Sequence, residues 1–125
     1  MNIEMLKVFS GEDGASKFGT ETVTLQSGAE HFQKNIVFFS PVESCKRFFF
    51  AQLPVGFSDN QAFAGRRQLC VVLSGRVEIG TPDGEFIGLG VGETVLLEDT
   101  AIATQLRSVQ VVGDEPALIL VVQLE

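Results

Sequence analysis

The sequence predicts an all-β domain, an antiparallel barrel or sandwich, on three observations. Short β-prone runs recur, among them Gln68-Leu69-Cys70-Val71-Val72-Leu73, Val77-Glu78-Ile79 and Thr94-Val95-Leu96-Leu97. Glycine-centred turns separate them at Ser74-Gly75, Thr81-Pro82-Asp83-Gly84 and Gly90-Val91-Gly92. The 125 residues, 45% apolar and 20% charged, are enough for one self-sufficient core and lie well outside the disordered class. One domain over residues 1–125 is the expectation.

Residues 2–9 alternate around Ile3, Met5 and Val8 and form a first strand, expected at a sheet edge, which Gly11-Glu12-Asp13-Gly14 ends. Residues 17–25 set Phe18, Thr20, Thr22 and Thr24 against Gly19, Glu21, Val23 and Leu25, a strand whose faces are not cleanly sorted. Residues 26–31 carry no alternation and are expected as a polar loop or short helical turn, the best candidate for a mobile lid. Residues 35–40 make a strand that Pro41 stops, because proline removes a ladder donor and restricts the residue before it.

Residues 47–53 contain Phe48-Phe49-Phe50, an apolar run that predicts cover on both faces and hints at a dimer. Turn formers fill residues 54–60, and the central strands follow. After Thr100 another strand is expected to about Val112, then a Gly113-Asp114-Glu115-Pro116 turn. The last run, residues 117–124, is almost wholly apolar and is expected to be buried on both faces.

Sixteen acidic residues against nine basic ones give a net charge of −7, a field that repels phosphate backbones and anionic lipid surfaces. Nucleic-acid and membrane partners are therefore disfavoured. No basic start with an apolar run follows Met1, and no run is long enough to span a bilayer, so a cytoplasmic location is the expectation. Cys45 and Cys70 have no metal-type spacing and are expected as buried, reduced thiols. Phe, used eleven times with no Tyr or Trp beside it, would make the rings of any pocket apolar.

The succession Arg66-Arg67-Gln68, Ser74-Gly75, Asp83-Gly84, Gly90-Val91-Gly92-Glu93 and Glu98-Asp99-Thr100 resembles the core of the cupin family, in particular its small single-domain members. The likeness covers about residues 60–110 and implies a cupin-type double-stranded β-helix, a jelly-roll barrel. Such barrels ordinarily hold a metal through two histidines two residues apart, a glutamate three or four residues on and a later histidine, because residues spaced by two point into the same barrel. Counted back from Gly75, the glutamate position falls on Gln68 and the histidine positions on Ala62 and Ala64, or on Gln61 and Phe63. The last histidine position falls on Ala103 or on Gln105. None of these is a histidine or a carboxylate, and the single His31 lies upstream. The resemblance thus implies a cupin that has lost its metal ligands, and no cofactor is expected.

Because side chains alternate along a strand, Arg66, Gln68, Cys70 and Val72 share one face while Arg67, Leu69 and Val71 share the other. With Gln105 and Arg107, the first face supplies the pocket candidates Arg66, Gln68, Cys70, Gln105 and Arg107. A small organic acid could meet an arginine there in a two-point contact, with the amides fixing its orientation. The plainer alternative is a polar network within the protein, Gln68 with Gln105 and Arg66 with Glu78 or Glu98.

Cys70 is a nucleophile only if a base stands nearby, and nothing in the sequence places one, so an inert buried thiol is the favoured reading. Glu98-Asp99 reads as strand-end and turn chemistry, and His31 as a solvated loop residue. The expected function is binding of a small apolar or weakly acidic organic molecule, or an accessory role, in a homodimer. The alternatives are a metal-independent isomerase, cyclase or lyase using polar barrel residues, and a protein-interaction module with a Phe-rich outer sheet.

Overall fold

The computed structural model describes residues 1–32, 35–59, 66–100 and 107–125. Among them are twelve strands and no helix: β1 (Asn2–Ser10), β2 (Ser16–Thr24), β3 (Gln26–Phe32), β4 (Asn35–Phe39), β5 (Cys45–Leu53), β6 (Ser58–Asp59), β7 (Gln68–Ser74), β8 (Val77–Gly80), β9 (Phe86–Leu89), β10 (Thr94–Glu98), β11 (Ser108–Val111) and β12 (Ala117–Leu124). No helix is long and apolar enough to cross a membrane among these residues.

Alternation decides which side chains are hidden. In β12, Ala117, Ile119, Val121 and Gln123 are buried while Leu118, Leu120, Val122 and Leu124 are half-buried. β7 buries Gln68, Cys70 and Val72 by the same two-residue period. The strands assemble into a six-stranded sheet, ordered β2-β1-β10-β7-β12-β5, and a four-stranded sheet, ordered β6-β11-β8-β9. Val8, Val95, Leu97, Val72, Ile119 and Val121 of the first sheet share one apolar core with Val77, Ile79, Leu89, Val109 and Val111 of the second. Each fully buried Val or Leu in that layer contributes about 1.5–3 kcal/mol relative to exposure. A separate hairpin, β3-β4, completes the chain.

Two glycines are required by the backbone. Gly75 joins β7 to β8 at φ +75°, and a Cβ there would lie 2.5 Å from the Pro116 carbonyl oxygen. Gly84 takes φ 91° and closes the Thr81–Gly84 turn with a 3.0 Å hydrogen bond from its N–H to the Thr81 carbonyl. The exposed Asp83 carboxylate of that turn accepts from the Thr81 hydroxyl and the Glu85 N–H, which hold it below the usual carboxylate range. Leu73 is the extra residue of a bulge, since Leu118 pairs with Ser74 and Ile119 with Val72, and its side chain is turned outward.

Several sequence expectations are corrected. β1 is not an edge strand: it lies between β2, antiparallel, and β10, parallel. The parallel partner comes from far along the chain, so local pattern carries no trace of it. Residues 26–31 are neither loop nor helical turn but most of β3, paired with β4 through Gln26–Phe39 and His31–Ile36. The register shifts between Ser27 and His31, and that irregularity is why the segment shows no alternation.

The Phe-rich β5 is covered on one face only, with Phe48 and Phe50 exposed and Phe49 packed on the core. The outer side of β12 is likewise only half-buried, with none of the described residues lying fully across it. Cys45 is exposed and Cys70 buried, both as free thiols. The strand expected from Thr100 to about Val112 is seen as β11, and residues 101–106 lie outside the described residues.

One charged pair sits where the sheets meet. Arg107, just before β11, donates to the Asp99 carboxylate at 2.6 Å, and both side chains are 1% exposed. The hydroxyl of Ser16, the first residue of β2, donates to the other Asp99 oxygen at 2.8 Å. Removing one partner strands a buried charge at a cost of about 3–5 kcal/mol, whereas replacing both by apolar groups of like volume is close to neutral. Asp99→Asn is therefore expected to lower the urea midpoint by an equivalent of about 3 kcal/mol or more. Asp99→Leu combined with Arg107→Met should restore most of that loss, and a double variant as unstable as the single one would show that the pair itself stabilises the fold.

Candidate functional site

Three of the inward-facing candidates are buried, and each has polar or charged company. Gln68 opens β7, opposite Gln123 of β12, and Gln123 stands opposite Arg47 of β5, so three polar residues cross three neighbouring strands in one row. The Gln123 amide donates to the Gln68 carbonyl oxygen at 3.3 Å, and the Arg47 Nε donates to the Gln123 carbonyl oxygen. Cys70 follows on the same face of β7. Burial pushes its thiol up to about 12, opposed in part by the nearby Arg107 guanidinium, so the sulfur is protonated at neutral pH. Arg107 itself is held by Asp99.

The remaining candidates fall elsewhere. Arg66 precedes β7 in a bend and is exposed, so strand alternation does not extend back to it. Its neighbour Arg67 makes the contacts instead, donating to Glu98 at 2.7 Å and to Glu43 at 3.0 Å. The Glu98 hydrogen bond, against partial desolvation, raises the Arg67 guanidinium further above its already high range. Glu78 accepts from Gln110 at 2.7 Å. Gln105 lies outside the described residues, as do Gln61, Ala62, Phe63, Ala64 and Ala103. His31 is placed by its backbone within β3.

The sequence reading missed Asp99, Gln123, Arg47 and Ser16. A signal existed for Gln123, the one amide on the inward parity of an otherwise apolar strand. Asp99 gave the opposite signal, because an acid before Thr100 looks like turn chemistry.

A metal of the kind that cupin barrels ordinarily hold does not fit the donors seen among the described residues. Gln68 holds the carboxylate position with its oxygen already accepting from Gln123, and the Cys70 thiol keeps its proton. The Arg107 guanidinium adds positive charge within electrostatic reach of that thiol. Among the described residues no three His, Cys, Asp or Glu side chains come together.

Open space lies on the other side of the six-stranded sheet. A cavity of about 610 Å³ is floored by Met5, Leu69, Leu96, Val122 and Leu124 and walled by residues 40–45, which carry Ser40, Pro41, Glu43 and Cys45 across the sheet. Leu96 points away from the core and is nonetheless only 3% exposed, a measure of how deep this groove is. Its charged groups are already matched: Arg67 with Glu43 and Glu98, and Glu21 with Lys7 at 3.3 Å. Sequence gave no warning of the groove, because residues separated by more than a hundred positions build it.

No family model and no curated protein matches the chain. Among solved structures, the chain is similar to a Cupin 2 conserved barrel domain protein from Salinispora arenicola CNS-205, with a TM-score of 0.54 and 16% identity over 82% of this chain and 76% of the other. A structure described as ethanolamine utilization protein Q from Salmonella typhimurium LT2 aligns over 99% of this chain and 97% of its own at 11% identity, but its TM-score of 0.36 is too low to bear on the fold. The facing sheets, the parallel closure of β1 on β10 and the first of these likenesses together give the chain's architecture: it is a small cupin-type β-barrel.

Proposed function

We propose that the chain is a metal-independent binding protein whose ligand is a small, apolar molecule without net charge, held in the groove outside the six-stranded sheet. One observation carries this reading: the groove of about 610 Å³ has an aliphatic floor and charged walls that are already paired. That volume is typical of small-molecule sites, which are lined mainly by apolar side chains. An organic acid would have to displace Glu43 or Glu98 from Arg67, inside a protein of net charge −7. A neutral ligand displaces only water. The barrel interior, by contrast, has committed Gln68 to Gln123 and Arg107 to Asp99, which favours a structural role for that layer.

The neutral dye Nile red is a direct probe. Leu69→Trp narrows the groove from a half-buried position and is expected to weaken dye binding at least about tenfold, the loss that follows from about 1.4 kcal/mol. Gln68→Leu and Arg66→Leu should leave it unchanged. Dye binding that survives Leu69→Trp and disappears in Gln68→Leu would return the ligand to the barrel.

A catalytic role for Cys70 requires a thiolate that burial opposes. Iodoacetamide at neutral pH is expected to modify Cys45 in the native protein and to reach Cys70 only after denaturation. Equal rates at both would restore the nucleophile. The folded-state thiol is raised from 9.0 to about 12, so the neutral form is the one folding favours. Its contribution to stability is present below pH 9 and is lost as the pH rises from there towards 12.

Elemental analysis of protein purified without chelator addresses the metal. Substoichiometric metal is the expected outcome, and one ion per chain would bring metal chemistry back as the leading function.

A further inference from the structure

We propose, on the reading that the outer groove binds a neutral molecule, that this ligand carries a carbonyl oxygen at one end of an apolar body and that the Arg67 guanidinium receives it. Strand register places that donor at one end of the groove floor. Leu69 of β7 lies opposite Leu96 of β10 on one side and Val122 of β12 on the other, an aliphatic row across three strands. Two residues along come Glu98, Arg67 and Leu124, of which Arg67 and Leu124 also line the groove.

This second row is tied together as the first is. The Leu124 N–H donates to the Arg67 carbonyl at 3.0 Å, and the Arg67 Nε donates to Glu98 at 2.7 Å. Two strand residues span about 7 Å. A molecule lying on the aliphatic row therefore ends where the guanidinium begins.

Charge and hydrogen-bonding capacity are separated at Arg67. One guanidinium faces two carboxylates, Glu98 at 2.7 Å and Glu43 at 3.0 Å, so the cluster is net negative and disfavours an acid. Its donors are not used up. A guanidinium has five N–H groups, and these two bonds engage Nε and Nη1, which leaves the Nη2 donors to the groove and to water. Water can satisfy them, since 31% of the Arg67 side chain is exposed, and a ligand oxygen replaces that water with a charge-assisted bond. An ammonium group would meet the guanidinium charge head-on, and a carboxylate would add negative charge beside Glu43 and Glu98. A carbonyl does neither, because it accepts hydrogen bonds and carries no charge. Ketones, esters and aldehydes with an apolar body are the class that matches both rows.

Two neutral probes test this: the naphthyl ketone prodan, a dimethylaminonaphthalene with a propionyl group, and the analogue with a propyl group in its place. Both should bind the wild type, and Leu69→Trp should weaken both alike, which locates them in the groove. The comparison protein carries Arg67→Met with Glu43→Gln and Glu98→Gln, so that neither carboxylate loses its partner. The affinity ratio of ketone to propyl analogue is expected to be about tenfold higher in the wild type than in that variant. Infrared spectra of the bound ketone give a second readout: in the wild type the carbonyl stretch should lie below its value in hexane, and in the variant it should move back towards it. Failure of both probes to bind the wild type, or binding indifferent to Leu69→Trp, would overturn the groove as the binding site and the role of Arg67 with it. An equal affinity ratio in the two proteins, or a hexane-like stretch in the wild type, would overturn the role of Arg67 alone and leave the groove standing.

Discussion

The fold turns on the contact between Asp99 and Arg107. Both side chains are almost wholly out of water, 2.6 Å apart, and neither charge is tolerable there without the other. Asp99 follows the end of β10 in the six-stranded sheet, and Arg107 leads into β11 of the four-stranded sheet. Ser16, at the start of β2, supplies a second donor to the same carboxylate. The start of β2 and the two ends of the β10–β11 connection are thereby held to one geometry. Apolar residues of equal size could give comparable stability, but the ionic version accepts only one arrangement of those segments, which is a means of selecting a single barrel closure.

The same layer of the barrel commits its other polar groups to partners within the protein. Among the described residues the inward Arg107 is paired with Asp99, the inward Gln68 accepts from Gln123, and the inward Cys70 keeps its proton. A groove opens outside, where residues 40–45 cross the sheet above Leu69, Leu96 and Val122. Polar groups hold the two sheets together, and the groove outside is floored by aliphatic side chains. In the function proposed above, such a floor would select by shape and by the absence of charge.

Much of the barrel was legible in the chain. The two-residue period of β7 and β12, the Ser74-Gly75 and Asp83-Gly84 turns and the burial of Gln68, Cys70 and Arg107 all follow from local pattern. What escaped was non-local. β1 reads as an edge strand because its parallel partner, β10, leaves no mark on its own alternation. β3 reads as a loop because its register slips between Ser27 and His31, and a slip of that kind erases the periodicity by which strands are recognised. Arg66 was carried one step too far along a strand that begins at Gln68, and Arg67 does the pairing in its place. Asp99 was read as turn chemistry, whereas its function depends on Ser16 and Arg107, which only the folded chain brings to it.

The parallel seam has a consequence for how the chain reaches this state. Leu6 pairs with Val95 and Phe9 with Glu98, so the first strand made must wait for nearly all of the others before its second ladder can form. Local hairpins such as β1-β2 and β8-β9 close over short loops, while the seam closes one of the longest loops in the molecule, and that entropy must be lost before any contact there compensates for it. A two-stranded hairpin is marginal by itself in water. Until β10 arrives, β1 and β2 form a detached flap with an open hydrogen-bonding edge. That open edge is where a neighbouring chain's β10 would have to compete with the chain's own, so the seam is the place in this fold at which domain swapping would begin.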